Sequence, residues 1–203
     1  MQTRSIQFYA LLAAICISIA FSACTNSAPL MEIKKDKKEV IPAISDSAQV
    51  QISIVSFLQW YKLNINKANE FTILITDTNG NFKVNKTAYT DYLKFINSSS
   101  CISPKYIGYW KTYFADKESY LEDQSIKTYV PEGFDFDFIL VTQEPELVLN
   151  NIDNINFNLV SLNEAVALVG LTLPGNDLIE YEFEMYKSKE GWQIGYISTP
   201  NYD

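Results

Sequence analysis

The chain has 203 residues, 47% of them hydrophobic and 14% aromatic, and a formal charge of −8. It contains no His, which excludes Ser-His-Asp and Cys-His catalytic sites and His-based zinc sites, and its sole Arg is Arg4, so that a chain cleaved beyond that residue has no bidentate Arg clamp for phosphate or carboxylate. With seven Gly in all, it carries neither a dinucleotide-binding glycine fingerprint nor a P-loop.

Arg4 is the only charge in the first thirty-one residues, and an apolar run from Ile6 to Phe21 follows it. A short positive end before an apolar run too short to span a bilayer comfortably predicts a secretory signal. The run closes on Phe21-Ser22-Ala23-Cys24, which resembles the lipobox of bacterial lipoproteins, although Phe21 stands where leucine is commoner. In such signals the cysteine thiol receives a diacylglycerol and becomes the first residue. The resemblance therefore implies a signal over residues 1–23, lipid on Cys24 and attachment to a membrane. An uncleaved anchor helix is the alternative reading of the same run. Residues 24–47 hold few large apolar groups and a mixed-charge run from Lys34 to Glu39, so they are expected to form a flexible tether. Thr25 is not acidic, which resembles outer-membrane sorting in Gram-negative lipoproteins. The expected location is the cell envelope, facing the periplasm.

Residues 48–203 are expected to form one domain, long enough for a core. A first helix is predicted from Asp46 to Ile65, with Asp46 and Gln49 as a capping box. Val50, Ile54, Phe57, Leu58, Tyr61 and Ile65 form its stripe. Ile52 and Leu63 point the other way, which predicts cover on a second side. Trp60 flanks the stripe beside Ser53, Ser56 and Asn64, either as an edge-of-core residue or as the wall of a pocket. Phe71–Thr76 and Phe82–Val84, joined by Asp77-Thr78-Asn79-Gly80-Asn81, read as a short hairpin. A helix over Thr87–Ile96 follows, and Ser103 with Pro104 opens another. Tyr106, Ile107, Tyr109, Trp110, Tyr113, Phe114, Tyr120 and Leu121 make that helix a broad aromatic stripe. Lys117 falls within the stripe. It either lays its stem along the rings with its charge in water or faces a pocket and binds an anion.

Cys101 is the one cysteine beyond the signal and the lipidation position. It has no internal partner for a disulfide and no His to activate it, so it reads as a small packed residue rather than a nucleophile.

After Pro131 the pattern changes to strands. Phe134-Asp135-Phe136-Asp137-Phe138 alternates, which predicts a strand with Asp135 and Asp137 on one face. Asn156–Leu162 and Glu164–Leu173 are further candidates, the second a central strand. Glu180, Glu182 and Glu184 alternate with apolar residues and should share the outer face of a strand. Trp192, Ile194 and Tyr196 are expected to share a face of the last one. Helices first and an antiparallel meander last give an α+β fold, with no parallel crossovers in the carboxyl-terminal section. Residues 48–128 hold nine Lys and seven acids, whereas residues 129–203 hold two Lys and thirteen acids. So acidic a section disfavours nucleic acid as a partner.

Several stretches together resemble a known group. They are Ser56-Phe57-Leu58-Gln59-Trp60-Tyr61, the Tyr-rich helix after Ile102-Ser103, Gly133-Phe134-Asp135-Phe136-Asp137 leading to Thr142-Gln143-Glu144, and Glu190-Gly191-Trp192-Gln193-Ile194. Over about residues 48–198 the chain resembles bacterial lipoproteins of the domain-of-unknown-function 3828 type. That resemblance implies a cystatin-like or nuclear-transport-factor-2-like cone, with helices packed into a curved antiparallel sheet, and no known reaction. Three functions fit the residues. The first is a non-catalytic binding module with a concavity walled by Trp60, Tyr109 or Trp110, near Lys117. The second is an inhibitor- or immunity-type lipoprotein that docks a basic protein on Glu180, Glu182 and Glu184. The third is an enzyme using Asp135 or Asp137, near Gln143, as acid and base. The same two carboxylates could hold Ca²⁺, although such a site wants about six oxygens. No cofactor or metal is expected.

Overall fold

The computed structural model describes residues 44–199, and leaves the side chains of residues 176–180 undescribed. The expected signal, Cys24 and the tether up to residue 43 lie outside the described residues. Helix α1 spans Asp46–Ala68. Its cap is Ser45, whose side chain accepts from Ala48 N at 3.3 Å, so helix entry falls one residue before the predicted cap. That releases Asp46, which accepts from Lys187 Nζ at 2.7 Å and from the Trp192 indole at 3.4 Å. The predicted stripe is buried at Val50, Ile54, Phe57, Leu58 and Tyr61. The second covered side is absent: Ile52 is 54% and Leu63 85% exposed. Two isolated apolar residues do not make a face, and one buried stripe suffices to dock the helix.

Strands β1 (Leu74–Thr76) and β2 (Phe82–Val84) form the small hairpin. Asp77 fixes its turn by accepting from the amides of Asn79 and Asn81. Helix α2 (Lys86–Asn97) is capped by Asn85. Helix α3 (Pro104–Gln124) is capped by Ser103, with Pro104 in its first turn as its sequence predicts. The deep line of α3 is Tyr106, Trp110, Phe114 and Leu121, while Tyr109 and Tyr120 are exposed.

Residues 134–138 do not form the expected strand. Asp137 alone pairs, in an isolated bridge with Thr142. The Asp137 carboxylate accepts from the amides of Ile139 and Leu140 at 3.0 and 2.7 Å, which closes a tight turn. Within that turn Val141 takes a φ of +49°, an unfavourable value for a β-branched residue. The three Phe residues all pack on the core, as their period-two spacing predicts, and Phe138 lies 5.2 Å from Phe114 and 5.6 Å from Trp110, ring to ring. Burial of aromatic surface is thus achieved without a strand. A short helix α4 (Pro145–Leu149) and a 3₁₀ turn (Ile152–Asn154) follow.

The carboxyl-terminal section is an open, antiparallel four-stranded sheet in the order β3-β4-β5-β6. Its strands are β3 (Asn156–Leu162), β4 (Val166–Leu173), β5 (Asn176–Ser188) and β6 (Gly191–Ser198). The fold is α+β, with α1 and α3 both against β6. Ala167, Val169, Leu171, Phe183, Met185 and Ile194 alternate into the core beneath the helices. No described helix is long and apolar enough to cross a membrane.

Candidate functional site

The register of β6 decides where a cavity beside α3 opens. Glu184 pairs with Tyr196 while Met185 pairs with Ile194, so Gly195 is the extra residue of a bulge. The expected shared face of Trp192, Ile194 and Tyr196 therefore breaks. Ile197 takes the next buried place, and Tyr196 turns to the other side. There its ring meets Tyr109 of α3 edge-on, with centroids 4.8 Å apart.

Beside that pair lies a cavity of about 410 Å³. Tyr109, Trp110 and Tyr113 of α3 form one wall, and Phe136 and Val141 of the 132–143 segment another. Residues 196–199 complete it. Burial pushes the Tyr113 hydroxyl up to about 12 and raises the Tyr109 hydroxyl as well, so both stay protonated hydrogen-bond donors across the neutral range. Tyr113 donates to the carbonyl of Gly133 at 2.7 Å. Lys117 Nζ donates to the carbonyl of Glu132 at 2.9 Å and lies over the Tyr113 ring, 5.5 Å from its centroid. Gly133, at φ +91°, lets the backbone pass beneath these two side chains. A Cβ there would stand 2.6 Å from Lys117 Nζ, with the Tyr113 hydroxyl nearer still. At the same cavity Gln143 Nε2 donates to Asp135 Oδ2 at 3.3 Å. Thr199 is 8% exposed, and its Oγ1 has no hydrogen-bond partner among the described residues.

Five of the residues singled out in the sequence, Tyr109, Trp110, Lys117, Asp135 and Gln143, thus meet at one cavity. The others lie elsewhere. Trp60 packs at the edge of the core, 5.2 Å from Phe95 and 6.2 Å from Phe57, away from this cavity. Asp137 points to the opposite side of its segment. It borders a smaller recess of about 140 Å³ with Tyr61 and Tyr92, and the Tyr61 hydroxyl donates to its Oδ2. Burial raises the pKa of Asp137, although the Tyr61 hydroxyl and the two turn amides act against the rise. All three of these groups hold the carboxylate in place, so its geometry is that of a structural turn residue. Asp135 and Asp137 therefore do not share a face, because no strand forms there.

Cys101 is half-buried, and burial pushes its thiol up, which lowers the thiolate fraction. Glu182 and Glu184 do alternate with the buried Tyr181, Phe183 and Met185. Glu184 is paired with Lys105 at 3.0 Å and bonded to Tyr186, so it is not a free charge. The side chain of Glu180 lies outside the described residues. No group of three or more His, Cys, Asp or Glu residues among the described residues could hold a metal ion.

Tyr196, Phe136, Gly133 and Thr199 line the cavity without having been marked as site residues in the sequence. A glycine inside a strand pattern at 195 was the available signal for the bulge that turns Tyr196. No family model matches this chain, and neither does any curated protein or solved structure.

Proposed function

We propose that this chain is a lipid-anchored protein of the bacterial cell envelope, whose folded unit binds a small ligand beside α3 and β6 without transforming it. In this reading Cys24 carries the lipid and the tether holds the folded unit off the membrane, on the periplasmic side of the outer membrane. Helices over an antiparallel sheet are compatible with the cone of the domain-of-unknown-function 3828 lipoproteins, with the sheet curved around the helices.

One observation carries the reading. An aromatic-walled cavity of about 410 Å³ has Lys117, Asp135 and Gln143 at its border, and ligand sites commonly span ~300 to ~1,000 Å³ with a few polar groups on apolar walls. Binding without catalysis is favoured because the carboxyl with a raised pKa, Asp137, is turned away from the cavity and engaged by three donors. Docking of a basic protein has less support, since Lys105 already neutralises Glu184.

A fragment screen by ligand-observed NMR on the full-length chain tests the binding reading. Hits should be lost in Tyr109→Ala and retained in Trp60→Ala. Hits that ignore Tyr109→Ala would remove the cavity from consideration. The anchor is tested separately with Cys24→Ser, which should leave the membrane fraction; continued lipid labelling of that variant would contradict the lipidation.

A further inference from the structure

We infer that the ligand of this cavity is a small neutral saccharide, a mono- or disaccharide, an inference that rests on the ligand-binding reading above. The aromatic surface has a shape suited to a sugar ring. Tyr109 is 40% exposed and stands at 75° to Tyr196, so the two rings present nearly perpendicular faces at the cavity edge. A pyranose ring offers apolar C–H faces that stack on such rings, while its hydroxyls spread around the rim. Rings fixed by their neighbours provide this surface at little entropic cost.

The rim mixes donors and acceptors. Lys117 gives one of its three N–H groups to Glu132 O, and Gln143 gives one of its two to Asp135. The remaining N–H groups, the Gln143 carbonyl and the second Asp135 oxygen have no further partner among the described residues. A sugar hydroxyl donates and accepts at once, so adjacent donors and acceptors suit it.

Charge points the same way. Glu132 and Asp135 oppose a simple anion, while Lys117, lying along the aromatic wall, opposes an organic cation. A neutral polyol meets neither repulsion and can bond to both kinds of group.

The test is saturation-transfer NMR and titration of the full-length chain with maltose, cellobiose, lactose and di-N-acetylchitobiose. Phenylalanine, choline and benzoate serve as the zwitterionic, cationic and anionic comparisons. At least one disaccharide should bind, with saturation strongest at its ring C–H protons. Tyr109→Ala should weaken that affinity by about tenfold. Gln143→Ala, an exposed substitution that leaves the core intact, should weaken it by about fivefold. Binding of phenylalanine, choline or benzoate without any of the disaccharides would overturn the saccharide inference while sparing the binding reading. Binding of none of the seven would also overturn it, and the fragment screen then decides the binding reading independently.

Discussion

Asp135 and Asp137 stand two residues apart in a Phe-Asp-Phe-Asp-Phe run, with the same neighbours in sequence and opposite surroundings in the fold. Asp135 is exposed at the border of the 410 Å³ cavity, held by Gln143 alone. Asp137 faces the other side, where the Tyr61 hydroxyl and the amides of Ile139 and Leu140 engage its carboxylate. The difference separates two roles that a residue pattern cannot separate. A carboxylate engaged by three donors maintains a turn, and one with a single long hydrogen bond remains available to a ligand. The turn that Asp137 closes is also what presents Asp135, Phe136 and Val141 to the cavity.

The contrast is open to direct attack. Asp137→Ala should destabilise the protein by about 3 kcal/mol, because it strands a buried Tyr61 hydroxyl and two turn amides. Asp135→Ala should stay within about 0.5 kcal/mol of the parent in the same urea titration. Equal losses at the two positions would erase the distinction. Gly133→Ala comes next, at about 2 kcal/mol, since it forces a Cβ at positive φ into Tyr113 and Lys117. It should also reduce binding in the cavity, as seen by titration with any fragment hit.

The pH dependence sharpens the same point. The pKa of folded Asp137 is raised above the usual carboxylate value. Its contribution to stability is therefore fully present below the unfolded pKa and is lost as pH rises through the folded one. Urea midpoints of the parent and of Asp137→Asn, taken from acid to neutral pH, should show the parent losing ground to the variant as pH rises. A difference that stays flat, or runs the other way, would contradict the burial of that carboxyl. The smallest effect belongs to Cys101→Ser, expected within about 0.5 kcal/mol. The Cys101 thiol should react with a disulfide reagent more slowly than free cysteine at pH 8, because burial raises its pKa.

The helices were legible because their stripes and caps are local. Ser103-Pro104 and the line from Val50 to Tyr61 needed no knowledge of the rest of the chain. The sheet order was equally accessible, since successive alternating strands with short turns have few ways to pair. The 134–138 segment was misread because its alternation mimics a strand, while the deciding partners, Tyr61, Trp110 and Phe114, are remote in sequence. Tyr196 was placed on the wrong face for a comparable reason. A bulge at Gly195 shifts register by one residue, and in a strand one residue reverses every side chain beyond it. At the site, Tyr109, Lys117, Asp135 and Gln143 were visible individually as polar or aromatic residues in unusual settings. Their meeting at one cavity depends on that bulge and on the Asp137 turn, neither of which periodicity encodes.

The Asp135 side of the segment thus binds a ligand while the Asp137 side maintains the fold. Backbone amide chemical-shift mapping during titration with a fragment hit tests it most directly. The largest shifts should fall on Tyr109, Gly133, Asp135, Gln143 and Tyr196. Shifts centred instead on Tyr61, Tyr92 and Asp137, or on the Glu182–Glu184 face, would contradict it.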